Sequence, residues 1–285
     1  MIFPKEVEII EVGLRDGLQN EEKLVSTEEK KHLLNLLFAA GLKRFESTSF
    51  VHPTVVPQMA DAEEISAYCN EKNLTHIALT PNEKAVKRAI KAKVPQIALF
   101  IAASETFNQN NIRMSIKEAI EVSKTVIMQA KEQGIFIRGY VSMAFICPFE
   151  GPISYDQVRR IVDHYVAHEV DEIVLGDTSG RANPKIVYDR FSRLVEAYPD
   201  IVFAAHFHDT YRFALANIVA AMQANITKFD SSIAGLGGCP FSPGATGNVA
   251  TEKVVHFLHE IGIQTSINLE ALQRSSDYAK AITGS

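Results

Sequence analysis

The 285-residue chain has no tryptophan and only three cysteines, Cys69, Cys147 and Cys239, none of them in a CxxC pair. An odd number of widely spaced cysteines speaks against a disulfide framework or a thiolate zinc site, and it fits a reducing compartment. The sequence also has no apolar run of about 18 residues, so no membrane-spanning helix is expected. The N-terminal stretch MIFPKEVEIIEVGLRDG enters a strand-like segment without a charged leader and apolar core, so no secretory signal is expected. The C-terminal AKAITGS matches no lipidation or retention signal. These absences make the cytoplasm the expected location and give no reason to expect a membrane partner. A basic excess is missing too: the net charge of −5 argues against a nucleic-acid partner, and any anionic ligand must be held by a local Arg/Lys cluster.

What the chain does have is repetition. Short apolar, β-branched runs at 7–12, 44–50, 76–80, 96–102, 137–145, 172–177, 203–209 and 229–235 read as strands. Helical patterns lie between them. Ser26 and Glu29 form a capping-box pair ahead of Leu33, Leu34 and Leu37, and Gly41 stands where that helix would stop. Ser115 and Glu118 repeat the device, with Gly134 past the end. Further helices fit 61–72, 82–92, 155–168, 185–197, 212–224, 249–261 and 268–282. Eight alternating units with no linker-like break predict an α/β fold, a single (β/α)8 TIM barrel over 1–285, with chemistry at the C-terminal ends of the strands. A doubly wound sheet is disfavoured because no GxGxxG opens a helix after the first strand.

The candidate site residues fall at those strand ends. His206 and His208 are two apart on the seventh strand, so both face one side. A bare HxH also suits a hydrogen-bonded core pair. Asp16 at the end of the first strand and Asn248 after the eighth, however, supply the remaining members of a four-ligand N/O set, because strands one, seven and eight are neighbours in a closed barrel. Such hard donors favour Mg2+ or Mn2+ over a closed zinc site. Arg15 beside Asp16 would point to the other side of the turn and stabilise a developing oxyanion. Glu46 and Asp177 close strands two and six, and each either acts directly or orients a ligand. Residues 230–248, DSSIAGLGGCPFSPGATGN, form a glycine-rich loop carrying Cys239, a built site or a mobile loop with a buried thiol.

The motifs EVGLRDGLQNE (11–21), ESTSFVHPTVVPQMADA (46–62), LGDTSG (175–180), HFHDTY (206–211) and GLGGCPFSPGATGNVATE (235–252) resemble the 3-hydroxy-3-methylglutaryl-CoA (HMG-CoA) lyases, metal-dependent TIM-barrel enzymes. The resemblance runs from residue 7 to about 260, and the cysteine loop is specific to the lyase branch. It implies Asp16, His206, His208 and Asn248 as ligands of Mg2+ or Mn2+. It further implies Arg15 and Cys239 as catalytic residues and Glu46 and Asp177 as acidic ones, with Arg15, Gln19, Ser49 and Glu252 binding substrate. The implied reaction splits HMG-CoA into acetyl-CoA and acetoacetate, a step of leucine degradation and ketone-body formation. Arg15 would hold the enolate oxygen and Cys239 would protonate the carbanion. His206 is the first choice of base, with Asp177 or a bound water as alternatives. Barrels of this type imply a homodimer. Arg181, Arg212 and His52 depart from the family's usual residues; on a barrel they should lie on the pocket rim, where they would bind CoA phosphates or signal a different 3-hydroxyacyl-CoA. A Claisen-type acyltransferase on the same barrel is the alternative reading.

Overall fold

A computed structural model describes residues 3–237 and 247–284. Eight parallel strands close into a barrel whose strand order follows the sequence around the ring. They are β1 (Glu8–Glu11), β2 (Arg44–Ser49), β3 (Thr75–Leu79), β4 (Gln96–Ala102), β5 (Phe136–Ser142), β6 (Glu172–Asp177), β7 (Val202–Phe207) and β8 (Lys228–Ser231). All eight expected strands form, five of them shortened by one to three residues where the chain leaves the ladder. The helices that cover the outside begin where the capping residues say they should. The Ser26 and Ser115 hydroxyls each accept from the backbone N–H three residues on, and Glu29 and Glu118 return the bond. Ser154 with Gln157 is a third capping box, at the start of the helix Tyr155–Ala167. Each such cap contributes on the order of 1 kcal/mol.

Three elements were not expected. A helix at Glu105–Ile112, capped by Ser104, precedes the long helix Ile116–Lys131. A short antiparallel pair, Ile146–Cys147 with Gly151–Pro152, stands on the loop after β5. Most consequential is a π-helical turn, Gly13–Gly17, directly after β1: the N–H groups of Arg15, Asp16 and Gly17 all converge on the carbonyl of Val12.

Period-two alternation splits the barrel strands between two cores. The larger core lies between strands and helices. The smaller fills the lumen with Ile10, Val12, Ile77, Leu79, Ala98, Tyr140, Val174 and Ala204. The same inward positions also carry Arg44, Glu46, Arg138, Glu172, His206 and Asp230, all buried. Such charges in a barrel interior are tolerated only if they are paired. Arg44 Nη1 donates to Glu172 Oε2 (2.9 Å), Arg138 Nε donates to Glu172 Oε1, and Arg138 Nη2 donates to Asp230 Oδ1 (2.7 Å). Register makes this possible, since Arg138 pairs with Glu172 across β5/β6 and Asp230 with His206 across β8/β7.

Candidate active site

The π-helical turn carries Arg15 and Asp16 above the C-terminal end of the barrel. Two glycines let it pack there: a Cβ on Gly13 would lie 2.6 Å from Glu11 Oε1, and one on Gly17 would lie 2.7 Å from Ser232 Oγ. Asp16 therefore does not end the first strand but sits five residues beyond it. Nor do Arg15 and Asp16 point to different sides. The tight turn brings them onto one face, where Arg15 Nη1 donates to Asp16 Oδ1 at 2.6 Å while Nη2 donates to Glu46 Oε2 at 2.7 Å. Glu46 does not close its strand; it stands mid-strand in β2 and projects into the lumen, where Tyr140 Oη lies 3.3 Å from the same oxygen.

His206 is on β7 and His208 one residue past it, with ring centroids 5.2 Å apart. His206 Nε2 lies 3.8 Å and His208 Nε2 3.9 Å from Asp16 Oδ2, too long for hydrogen bonds. One ligand atom from each of these three residues lies within 4.8 Å of the others, and among the described residues this is the one group of His, Cys, Asp and Glu side chains so arranged. Ligand atoms each about 2.1 Å from a common ion stand roughly 3–4 Å apart, so the spacing fits a divalent cation. Asn248 is tied to the group through its amide, whose Nδ2 donates to Asp16 Oδ2 at 2.8 Å and to the carbonyl of Leu236, and its Oδ1 is the atom that would ligate a cation. Three buried polar atoms at the mouth, Arg15 Nε, Glu46 Oε1 and His208 Nδ1, have no hydrogen-bond partner among the described residues, as expected where a ligand supplies the rest.

Electrostatics sort the groups. Burial would raise the Asp16 carboxyl, but Arg15 and both histidines outweigh it and hold it well below the usual carboxylate range. Burial lowers His208 to about 4, with His206 reinforcing the effect. His206 moves the other way: burial opposes charge, yet the Asp230 hydrogen bond and the Asp16 carboxylate lift it above the ordinary value. Its Nδ1 lies 3.1 Å from Asp230 Oδ2, while its Nε2 faces Asp16 without a hydrogen bond between them.

Asp177 ends β6, one residue after Gly176, which pairs with His206. Its carboxylate accepts from the N–H groups of Arg181 and Ala182, shaping the loop, and burial pushes its pKa up to about 7. Gln19 lies beside the Arg15–Asp16 pair at 3.5 Å from each. Ser49 Oγ donates to the Leu79 carbonyl and accepts from the Val51 N–H, so it fixes the β2 loop. Glu252 is not brought to the cluster. It lies in the first turn of the helix Thr251–Glu260 and accepts from the Ala234 N–H and the Ser276 hydroxyl, which commits it to the wall behind the site. Cys239 lies outside the described residues, but both flanks of its loop are placed. Gly237 accepts from the Asn248 N–H, the Gly247 carbonyl accepts from Asp209 N, and a Cβ on Gly237 would meet Asn248 Nδ2 at 2.7 Å. Arg181, Arg212 and His52 are exposed on the loops after β6, β7 and β2, with Arg181 stacked 5.6 Å from the Tyr211 ring.

Sequence reasoning passed over Asp230, Arg138, Tyr140, Glu172 and Glu11. The available signal was a charged residue inside an otherwise apolar strand, which a parallel barrel rarely admits unless paired.

The sequence profile of the HMGL-like family matches residues 6–278. A curated relative, the mitochondrial hydroxymethylglutaryl-CoA lyase of Macaca fascicularis, is 42% identical over 97% of this chain and 85% of its own length. The crystal structure of the Bacillus subtilis HMG-CoA lyase superposes with a TM-score of 0.96 at 40% identity, over 100% of this chain and 96% of that one. An Acinetobacter baumannii HMG-CoA lyase, solved in complex with coenzyme A and 3-methylmalate, superposes with a TM-score of 0.92 at 36% identity, over 100% and 93% of the two chains. This chain is a member of the HMGL-like family.

Proposed function

We propose that this protein is a metal-dependent carbon–carbon lyase that cleaves HMG-CoA to acetyl-CoA and acetoacetate. The observation that carries the reading is the convergence of Arg15, Asp16, His206, His208 and Asn248 at one barrel mouth, in a chain that matches HMG-CoA lyases over nearly its whole length. An acyl-CoA substrate is supported by the coenzyme A held by the Acinetobacter relative.

Asp16, His206, His208 and Asn248 would hold Mg2+ or Mn2+. The bound cation would polarise the substrate's hydroxyl and carboxylate oxygens. Arg15, already charged and aimed by Glu46 and Asp16, holds the thioester oxygen as negative charge develops on it when the bond breaks. Proton removal from the hydroxyl falls to Asp177 rather than His206. His206 gives its Nδ1 to Asp230 and would give its Nε2 to the cation, whereas Asp177 is a carboxylate at the end of β6, one residue after the Gly176 that pairs with His206. Cys239 returns a proton to the carbanion carbon; in sequence it stands two residues beyond Gly237, which lies against Asp16 and Asn248.

The test is acetoacetate release from HMG-CoA with Mg2+ or Mn2+, and again after chelation. Metal-dependent product supports the proposal; no product from a protein that binds Mn2+ tightly would direct attention to Arg181, Arg212 and His52 and a different 3-hydroxyacyl-CoA. Cys239→Ala should abolish cleavage while Mn2+ binding persists, and retained cleavage would remove the thiol from the mechanism.

A further inference from the structure

The ion pairs in the lumen form one chain that ends on the cation site. Starting at the N-terminal end of the barrel, Glu172 lies between the guanidiniums of Arg44 and Arg138, and Arg138 in turn grips Asp230 with two nitrogens (Nη2 to Oδ1 2.7 Å, Nη1 to Oδ2 3.1 Å). Tyr140 adds a third bond, its hydroxyl donating to Asp230 Oδ2 at 2.8 Å while accepting from Arg138 Nη1 at 2.6 Å. The remaining contact of Asp230 is His206 Nδ1, 3.1 Å from Oδ2. Every member of this chain is buried, so Asp230 is shielded from bulk solvent and held through both of its oxygens.

A carboxylate fixed this firmly can only accept from an imidazole. His206 must therefore carry its proton on Nδ1 when neutral, which leaves the Nε2 lone pair directed at Asp16 and His208. His208 has no such support: its Nδ1 is buried with no hydrogen-bond partner among the described residues. We infer that Asp230, clamped by Arg138 and Tyr140, is a positioning residue that selects the Nδ1–H tautomer of His206 and aims its Nε2 at the cation. This inference rests on the reading of the Asp16–His206–His208 cluster as a divalent-cation site. It makes the two histidines unequal. His206 is pre-aimed and strengthened as a donor, whereas His208 is held by packing alone.

The experiment combines metal titration with histidine NMR. Isothermal titration of the metal-free full-length protein with Mn2+ should show Asp230→Asn weakened by roughly 10–100-fold, the range expected when a carboxylate behind a ligating histidine is lost. Glu172→Gln, which damages the same buried chain three side chains away from His206, should lower the melting temperature yet leave Mn2+ affinity within about twofold of the parent. Wild-type affinity in Asp230→Asn would overturn the inference. So would an equal loss in Glu172→Gln, which would make the effect general loosening. Independently of any variant, 15N spectra of the wild-type protein at alkaline pH should show His206 protonated on Nδ1; an Nε2–H tautomer would overturn the inference even if every variant failed to fold. Failure of the wild-type protein to bind Mn2+ would instead overturn the cation reading, leaving the tautomer to decide the role of Asp230.

Discussion

Arg15 illustrates how much one side chain does at the mouth of this barrel. Its two terminal nitrogens hold two different carboxylates, Asp16 on the turn and Glu46 on β2, at 2.6 and 2.7 Å. A lysine offers one compact charge and cannot span both. Arg15→Lys should fold, with a melting temperature within a few degrees of the parent, and should lose roughly 10²–10³ in kcat, as when an oxyanion donor is removed. Unchanged kcat would show that the guanidinium only organises the acids around it. At this scale Asp16, His206, His208 and Asn248 were legible because short motifs and strand ends reveal residues that share a loop or alternate along one strand. Asp230 and Arg138 were not, because their meaning depends on which residue of a neighbouring strand they face. That register, Asp230 beside His206 and Arg138 beside Glu172, is set by barrel closure rather than by spacing along the chain.

Among the elements, the π-helical turn after β1 depends on what lies beneath it. Glu11, buried at the end of β1, accepts from the N–H groups of Gly13 and Ile233 on one oxygen and bonds Thr251 on the other. It thereby ties the turn bearing Arg15 and Asp16 to the segment that leads into the cysteine loop. Burial lifts its pKa from an ordinary 4.5 to about 7, so the native state holds this proton more tightly than the unfolded chain does. Its stabilising contribution is complete below pH 4.5 and falls as pH rises toward 7, a loss bounded at roughly 3 kcal/mol. Glu11→Gln should remove that slope, since an amide cannot ionise and the Thr251 hydroxyl can rotate to accept from it. Urea unfolding of both proteins across this pH range checks the sign, and an undiminished slope in the variant would place the titrating group elsewhere. The capping boxes at Ser26 and Ser115 were legible because they are local hydrogen-bond grammar. The turn was not, because GLRDG takes its shape from the Val12 carbonyl and the Glu11 carboxylate beneath it.

Over the whole molecule, eight strand–helix units were readable from periodicity alone, and they position the site by bringing β1, β7 and β8 together. The ion pairs form two runs, Arg44–Glu172–Arg138–Asp230 and Glu46–Arg15–Asp16, with Tyr140 Oη between Asp230 and Glu46, and the second run has two carboxylates to one guanidinium. That surplus negative charge lies at the cluster suited to a cation, so metal should stabilise the fold as well as serve the reaction. Mn2+ at a hundred times its Kd should add about 2.7 kcal/mol and raise the melting temperature by several degrees. His208→Ala should abolish most of that rise; an undiminished rise would place the stabilising ion at another site. Because Arg138 stands between Glu172 and Asp230, no single charge in the lumen can change without stranding its neighbour. Arg181, Arg212 and His52 stand outside this network, exposed, and the ion pair that Arg212 makes with Asp209, at 3.6 Å, opens to solvent. Lineages descended from this chain would therefore diversify at the rim one residue at a time, altering what enters the barrel long before altering how the bond inside it breaks.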